Sequence, residues 1–352
     1  MSKSGVQTRL GAGRRDFLRL SGLAILAGTG AVEALGAGEQ SDGGIQPVKE
    51  SEQKQSKIVV GQVKVMPESG KLEANHKLLM DVLGEIAQKQ PAVDVAITSE
   101  GFLDGYVSKH EKVRREDMVQ YAIDPQTSPY IKSAAEWAKR NNAWLIYGCT
   151  RKEREHVYNT ALIFDRTGRL VGWYDKLHLL QHDRKYDPGM NLNVYDSEFG
   201  LFGVTICADR RWPETIRTMA LKGARVIFNP TYGMHNELNL CMMRTRAYES
   251  ELLIVFTHPL QALITDPEGQ VLLNDENPDH RYVITEIDLS AADVRRASES
   301  GHLRHRRRMS TNCKVSLRRK LLSDGMEFLE KRMRNSAVQR CLFFSVSSES
   351  LR

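Results

Sequence analysis

The sequence predicts an α/β domain in which two β-sheets face each other and helices cover them from outside. Short β-branched and apolar runs recur between segments whose apolar residues fall at helical spacing. Hairpin patterns interrupt that alternation, so the sheets are mixed rather than purely parallel. Two facing sheets also account for so many strands within one domain of about 235 residues.

The elements follow in order. Residues 58–65 are β-branched and stop before Pro67, which suggests a first strand. Residues 71–89 place Leu72, His76, Leu79, Val82, Leu83 and Ile86 on one helical face. Residues 93–97 read as a short buried strand ending at Ser99-Glu100-Gly101. A helix fits 127–140 and a strand 144–148, and 157–165 with 170–178 form a hairpin about the turn at 166–169. The strand at 201–206 runs directly into Cys207. Pro213 opens a helix with Ile216, Met219, Ala220 and Leu221 inward, and Gly223 ends it. Strands at 226–228 and 252–256 flank a helix around 239–250. A hairpin of 262–264 against 271–273 and a strand at 281–287 close the series.

The two ends stand apart from this body. Residues 1–36 combine Arg14-Arg15-Asp16-Phe17-Leu18 with a mild Gly/Ala-rich apolar run and small residues near Ala34 and Ala37. That pattern resembles a bacterial twin-arginine export signal, so the mature protein is expected in the periplasm; a disordered basic leader is the alternative. Residues 37–56 read as a flexible linker, 57–292 as the folded domain and 293–352 as a basic C-terminal extension. Arg304 to Arg308 and a helical pattern at 315–333 make that extension a candidate contact between copies, or a solvated basic helix.

Of the 352 residues, 41% are hydrophobic and 27% charged, ordinary values for a chain able to bury a core. The net charge of +6 comes from the two ends, while the centre is mildly acidic, which argues against a nucleic-acid binder. No run suffices for a membrane span. The five cysteines have irregular spacing and give neither a disulfide framework nor a metal pair, and the scattered histidines offer no paired ligand spacing. No cofactor and no metal are expected.

Three strand ends carry the chemistry. Ile206-Cys207-Ala208 sits at a sharp strand-to-helix junction, which projects a thiol into the space beyond the strand and lets the Ala208 amide face the same space. Taken alone, such a cysteine is more often a small buried hydrophobe. Glu100 lies where a buried strand opens into a loop, and alone would read as a surface carboxylate. Lys176, within Tyr174-Asp175-Lys176-Leu177-His178-Leu179, alone would read as an edge charge. Together a carboxylate, an ammonium and a thiol suit acyl transfer. The base activates the thiol, the cation stabilises the oxyanion, and a thioester forms and is hydrolysed.

Glu100, the Tyr-x-Lys-x-His-Leu run at Lys176 and the Cys-x-Asp-x-x-x-Pro-Glu run at Cys207 resemble the motifs of the nitrilase, or carbon–nitrogen hydrolase, superfamily, over residues 57 to about 290. The resemblance implies a four-layer α-β-β-α sandwich, with Glu100 as general base, Lys176 as oxyanion partner and Cys207 as nucleophile. It implies a second carboxylate after the Lys motif, where Asp183 falls nearest and is one methylene short. Ser99 stands where proline is common. Ala208-Asp209 departs from the Trp-Glu typical of nitrile-cleaving members, so amides fit better. The run from Asp209 to Glu214 is similar to that of N-carbamoyl-D-amino-acid amidohydrolases, which gives Arg211 the substrate carboxylate; structural pairing of both arginines near Glu214 is the alternative. Asn229 and Tyr232 are expected to line the same cleft. The resemblance further implies a homodimer or higher homo-oligomer acting on a small-molecule amide and releasing ammonia. A general aliphatic amidase and a non-catalytic ligand-binding relative remain open readings.

Overall fold

A computed structural model describes residues 54–306. Two six-stranded mixed sheets face each other, with helices on their outer surfaces. The first contains β1 (Lys57–Val63), β2 (Val95–Ile97), β3 (Trp144–Glu153), β4 (His156–Phe164), β5 (Leu170–Asp175) and β12 (Tyr282–Asp288) in the order β12-β1-β2-β3-β4-β5. The second contains β6 (Val194–Tyr195), β7 (Phe202–Val204), β8 (Val226–Pro230), β9 (Leu253–His258), β10 (Gln261–Thr265) and β11 (Val271–Asp275) in the order β11-β10-β9-β8-β7-β6. Each has a parallel centre, β1-β2-β3 and β7-β8-β9, with antiparallel strands outside.

Strand alternation explains why the central strands read as unbroken apolar runs. Ile58 and Val60 of β1 join the core between the sheets, while Val59 and Val63 pack on the helix side. Val95 and Ile97 against Ala96, and Trp144 and Ile146 against Leu145 and Tyr147, repeat the division. With both faces covered, each position contributes burial worth about 1.5–3 kcal/mol for a Val, Leu or Ile.

Over the first sheet lie α1 (Leu72–Ala87) and α2 (Pro129–Arg140). Leu79, Val82, Leu83 and Ile86 of α1 point inward, and Trp137 of α2 donates its indole N–H to the Leu83 carbonyl at 3.1 Å. Pro129 begins α2 where its missing N–H costs nothing. The second sheet is covered by α3 (Pro213–Leu221) and α4 (Glu237–Ser250), through Ile216, Met219, Met243 and Ala247. Two short helices, α5 (Ser290–Ala297) and α6 (His302–His305), follow β12.

A buried polar tie crosses the apolar core between the sheets. The buried Gln62 of β1 donates from Nε2 to the Phe256 carbonyl at 2.7 Å and to Thr257 Oγ1 at 2.9 Å, both on β9. Backbone packing is equally close behind Glu100: a Cβ at Gly148 would lie 2.2 Å from the Ser99 carbonyl oxygen.

The differences from the sequence expectations are local. Leu221 faces solvent, because α3 is in its last turn there and Met219 and Ala220 already fill the inner face. The strand before Cys207 stops at Val204, and β6, α5 and α6 were not foreseen because two to eight residues carry too little periodicity. The expected helix at 315–333, the export leader and most of the linker lie outside the described residues. No helix among the described residues is long and apolar enough to cross a membrane.

Candidate active site

Parallel strands of both sheets deliver their following loops to one end of the sandwich, where Glu100 follows β2, Cys207 follows β7 and Tyr232 follows β8. The antiparallel β5 brings Lys176 to the same place.

Glu100 and Lys176 are fully buried, and Lys176 Nζ lies 2.7 Å from Glu100 Oε1. The same ammonium lies 2.6 Å from Asp183 Oδ2, so it is shared by two carboxylates. Burial alone would lower the pKa of Lys176, but the neighbouring carboxylates of Glu100 and Asp183 outweigh it and raise it, leaving a fixed cation. Burial raises Asp183, the positive charge of Lys176 opposes that, and the Glu100 carboxylate adds to the rise. Glu100 is held by two further donors, Asn159 Nδ2 on Oε1 at 2.8 Å and the Tyr232 backbone N–H on Oε2 at 3.0 Å.

Cys207 begins a 3-10 turn and sits at φ +46, the left-handed region that an L-residue adopts at a cost. Asp209 braces this elbow. It accepts from the Ile206 N–H, the Tyr174 hydroxyl and the His178 backbone N–H, and its Oδ1 lies 2.7 Å from His178 Nδ1. The aspartate two residues after Cys207 thus grips the histidine two residues after Lys176, which explains why these residue types sit at these spacings. His178 also stacks on Trp212, with ring centroids 4.0 Å apart.

Cys207 is buried at the same end of the sandwich, close enough to Glu100, Lys176 and Arg210 for their charges to act on its thiol. Burial pushes the thiol pKa up and Glu100 pushes it further, while Lys176 and Arg210 pull it back without prevailing. Cys207 is therefore held toward its neutral thiol form. Beside the sulfur, a Cβ at Gly233 would lie 3.1 Å away, so glycine leaves the approach open.

The thiol opens into a cleft of about 160 Å³ lined by Tyr106, Lys109, His182, Asp183, Ala208, Arg210, Arg211 and Tyr232 among others. That volume suits a compact small molecule. Three non-glycine residues of its wall have positive φ: Tyr106 at 50°, Gln181 at 48° and Cys207 itself. Strain of this kind collects where surroundings fix a functional side chain.

The two arginines have different positions. Arg211 is exposed at the rim, whereas Arg210 is buried, with Nε on Asn239 Oδ1 at 2.6 Å and Nη2 on the Met234 carbonyl at 2.6 Å. Arg210 Nη1 is buried without a partner, and neither arginine forms an ion pair with Glu214 among the described residues. Asn229, expected in the cleft, is instead wholly buried, bonded to Thr205 and Thr231. Its position at the end of β8 ties that strand to the segment before Cys207. Tyr232 does line the cleft, half-buried, its ring 5.1 Å from Tyr106 and 5.5 Å beneath Lys109 Nζ.

Asn159, Tyr106 and His182 escaped the sequence reading, which weighed the Arg210-Arg211 pair and favoured Arg211. Asn159 alone left a trace, as a carboxamide interrupting the apolar run of β4. Behind the loop, His258 is buried, accepts from the Leu260 N–H at 3.0 Å and stacks on His235 at 4.2 Å. Burial, with the neighbouring His235 adding to it, lowers its pKa to about 3. Among the described residues no three or more His, Cys, Asp or Glu side chains gather as a metal site, and Cys149, Cys207 and Cys241 are free thiols.

The sequence profile of the carbon-nitrogen hydrolase family matches residues 59–297. A nitrilase of Pyrococcus abyssi is 27% identical over 252 residues, 66% of this chain and 90% of that one. An omega-amidase of Saccharomyces cerevisiae is 24% identical over 246 residues, 61% of this chain and 82% of its own. A hydrolase of Schizosaccharomyces pombe is 29% identical over 202 residues, and there the chain spans 61% of the relative's length. In fold, the crystal structure of a branch 10 member of the nitrilase superfamily from Saccharomyces cerevisiae superposes with a TM-score of 0.62 at 21% identity, over 70% of this chain and 96% of that one.

Proposed function

The chain belongs to the carbon–nitrogen hydrolase family, and from that premise we propose that it hydrolyses a compact amide or N-carbamoyl compound bearing a carboxylate. The observation that carries this reading is the single buried ammonium of Lys176 bonded to both Glu100 and Asp183, with Cys207 lining the same cleft as Asp183. Ala208-Asp209 after the cysteine supports an amide rather than a nitrile, and similarity to omega-amidases agrees with it.

Glu100 takes the thiol proton as sulfur attacks the carbonyl carbon, and the developing oxyanion is stabilised by Lys176 with help from the Ala208 amide. Collapse breaks the C–N bond, and Glu100 returns its proton to the departing nitrogen, so a primary amide releases ammonia. Water then gives a proton to Glu100 as it attacks the thioester, and that proton returns to sulfur as the acid leaves. Each proton is accounted for within the site.

The carboxylate preference rests on Arg210. A buried guanidinium with one unpartnered nitrogen in the cleft wall is an uncompensated charge that an anionic substrate would neutralise. Arg211 at the rim serves approach more than anchoring. Ammonia release from N-carbamoyl amino acids against simple neutral amides tests the preference, and equal rates would leave a general amidase. Mass spectrometry of acid-quenched enzyme tests the chemistry: a substrate-sized adduct on Cys207 is expected, and its absence with every substrate would favour a ligand-binding relative. Residues 1–36 support export; a fractionated bacterial host carrying Arg14→Lys with Arg15→Lys should retain the enzyme in its cytoplasm.

A further inference from the structure

We propose that Tyr106 is a positioning residue, its hydroxyl fixing the Asp183 carboxylate on Lys176 and being fixed in turn by His182 at the cleft mouth. The proposal rests on the reading of Lys176 as the oxyanion cation.

Tyr106 OH lies 2.6 Å from Asp183 Oδ1, while Asp183 Oδ2 is taken by Lys176. An ionised carboxylate can only accept, so the single hydroxyl proton of Tyr106 goes to Asp183. The phenolic oxygen is then an acceptor, and His182 Nε2 stands 3.0 Å from it, which puts the ring proton of His182 on Nε2. A continuous chain results: His182 donates to Tyr106, Tyr106 to Asp183, and Lys176 to both Asp183 and Glu100. Each oxygen of Asp183 thus has its own donor, and the carboxylate has one orientation.

The backbone around Tyr106 is arranged to hold it there. Its φ of +50 is one that an aromatic residue rarely adopts, and Gly101 makes room, since a Cβ at that position would lie 3.1 Å from Tyr106 Cα. The Tyr106 ring lies 5.8 Å from Lys176 Nζ. His182 and Asp183 are neighbours in the 3-10 turn Gln181–Lys185, one half-exposed at the cleft and the other buried. Whatever displaces His182 therefore acts on Asp183.

The groups facing Asp183 are Lys176 after β5, Glu100 after β2 and Tyr106 from its own loop. Burial raises Asp183, Lys176 lowers it, Glu100 raises it, and the Tyr106 hydrogen bond lowers it. Removing the hydroxyl therefore moves Asp183 toward its neutral form at a higher pH.

Tyr106→Phe keeps the ring and deletes only the hydroxyl. With the best amide substrate, we expect kcat to fall about tenfold or more while KM changes little, and the acid limb of the kcat profile to move to higher pH. His182→Gln retains an N–H donor and should lose less than His182→Leu. A Tyr106→Phe enzyme with unchanged kcat and an unmoved acid limb overturns the proposal. Should that variant not fold, equal losses in the two His182 variants overturn it and the expected ranking supports it. Turnover surviving in Cys207→Ala would instead overturn the underlying reading, whatever Tyr106 does.

Discussion

The Lys176 ammonium lies 2.7 Å from the Glu100 carboxylate, and neither side chain is reached by solvent. Breaking such a pair from one side leaves a buried charge, a loss of about 3–5 kcal/mol. Lys176→Met should therefore melt well below the parent and lose about 10²–10³ in kcat/KM, as for other removed oxyanion donors. Without the cation, Asp183 loses the charge that lowers its pKa while Glu100 still raises it, so its folded pKa climbs further above the unfolded one. The native state then binds the extra proton, and the deficit in Tm should shrink as pH falls. A deficit independent of pH would count against shared charge.

The raised thiol pKa of Cys207 has a kinetic signature. Burial and Glu100 both favour the neutral thiol, so alkylation at Cys207, mapped by peptide mass, should keep accelerating past neutral pH rather than level off. Glu100→Gln removes the neighbouring negative charge and should bring the alkylation midpoint down while abolishing turnover. A thiol already ionised at pH 6 would exclude transfer of its proton to Glu100.

Arg210 and Arg211 should separate cleanly. Arg210→Met is expected to raise KM for carboxylate-bearing substrates by about 10²-fold and to alter neutral amides little. Arg211→Ala, at the rim, should cost only a few-fold and be largely masked by salt. The reverse ranking of the two variants would remove the assignment.

His258 predicts a stability slope. Its folded pKa of about 3 lies below the ordinary histidine value of 6.5, so the unfolded state holds the extra proton between those values. Stability is then lost as pH falls through that window, by up to about 1.4 kcal/mol per pH unit. His258→Gln should flatten this acid-side slope in denaturant titrations. An unchanged slope would show that other groups set it.

Much of the fold was legible because burial on both strand faces leaves long apolar runs, as at 58–63 and 144–149. Glu100, Lys176 and Cys207 were legible for the converse reason, being reactive side chains at the ends of such runs. Which of Arg210 and Arg211 turns inward was not legible. Successive residues of a 3-10 turn point about 120° apart, and only the packing of Asn239 and Met234 around the elbow decides between them. Asn229 misled because a polar residue at a strand end can face the cleft or brace its neighbour, and Thr205 and Thr231 claim it. Tyr106 and His182 lie in irregular segments whose path no periodicity records.

The Gln62 carboxamide, bound to β9 across an otherwise oily seam, bears on alignment more than on strength. Glu100 and Lys176 ride on one slab of the molecule, Cys207 and Tyr232 on the other, and away from the bonds that join them at the site, apolar contact sets no phase between two sliding surfaces. A directional bond at that seam acts as a dowel. Enzyme whose Gln62 became leucine would keep its bulk and its greasy fit while losing a second peg, remote from those at the site, that keeps Glu100 and Cys207 in phase.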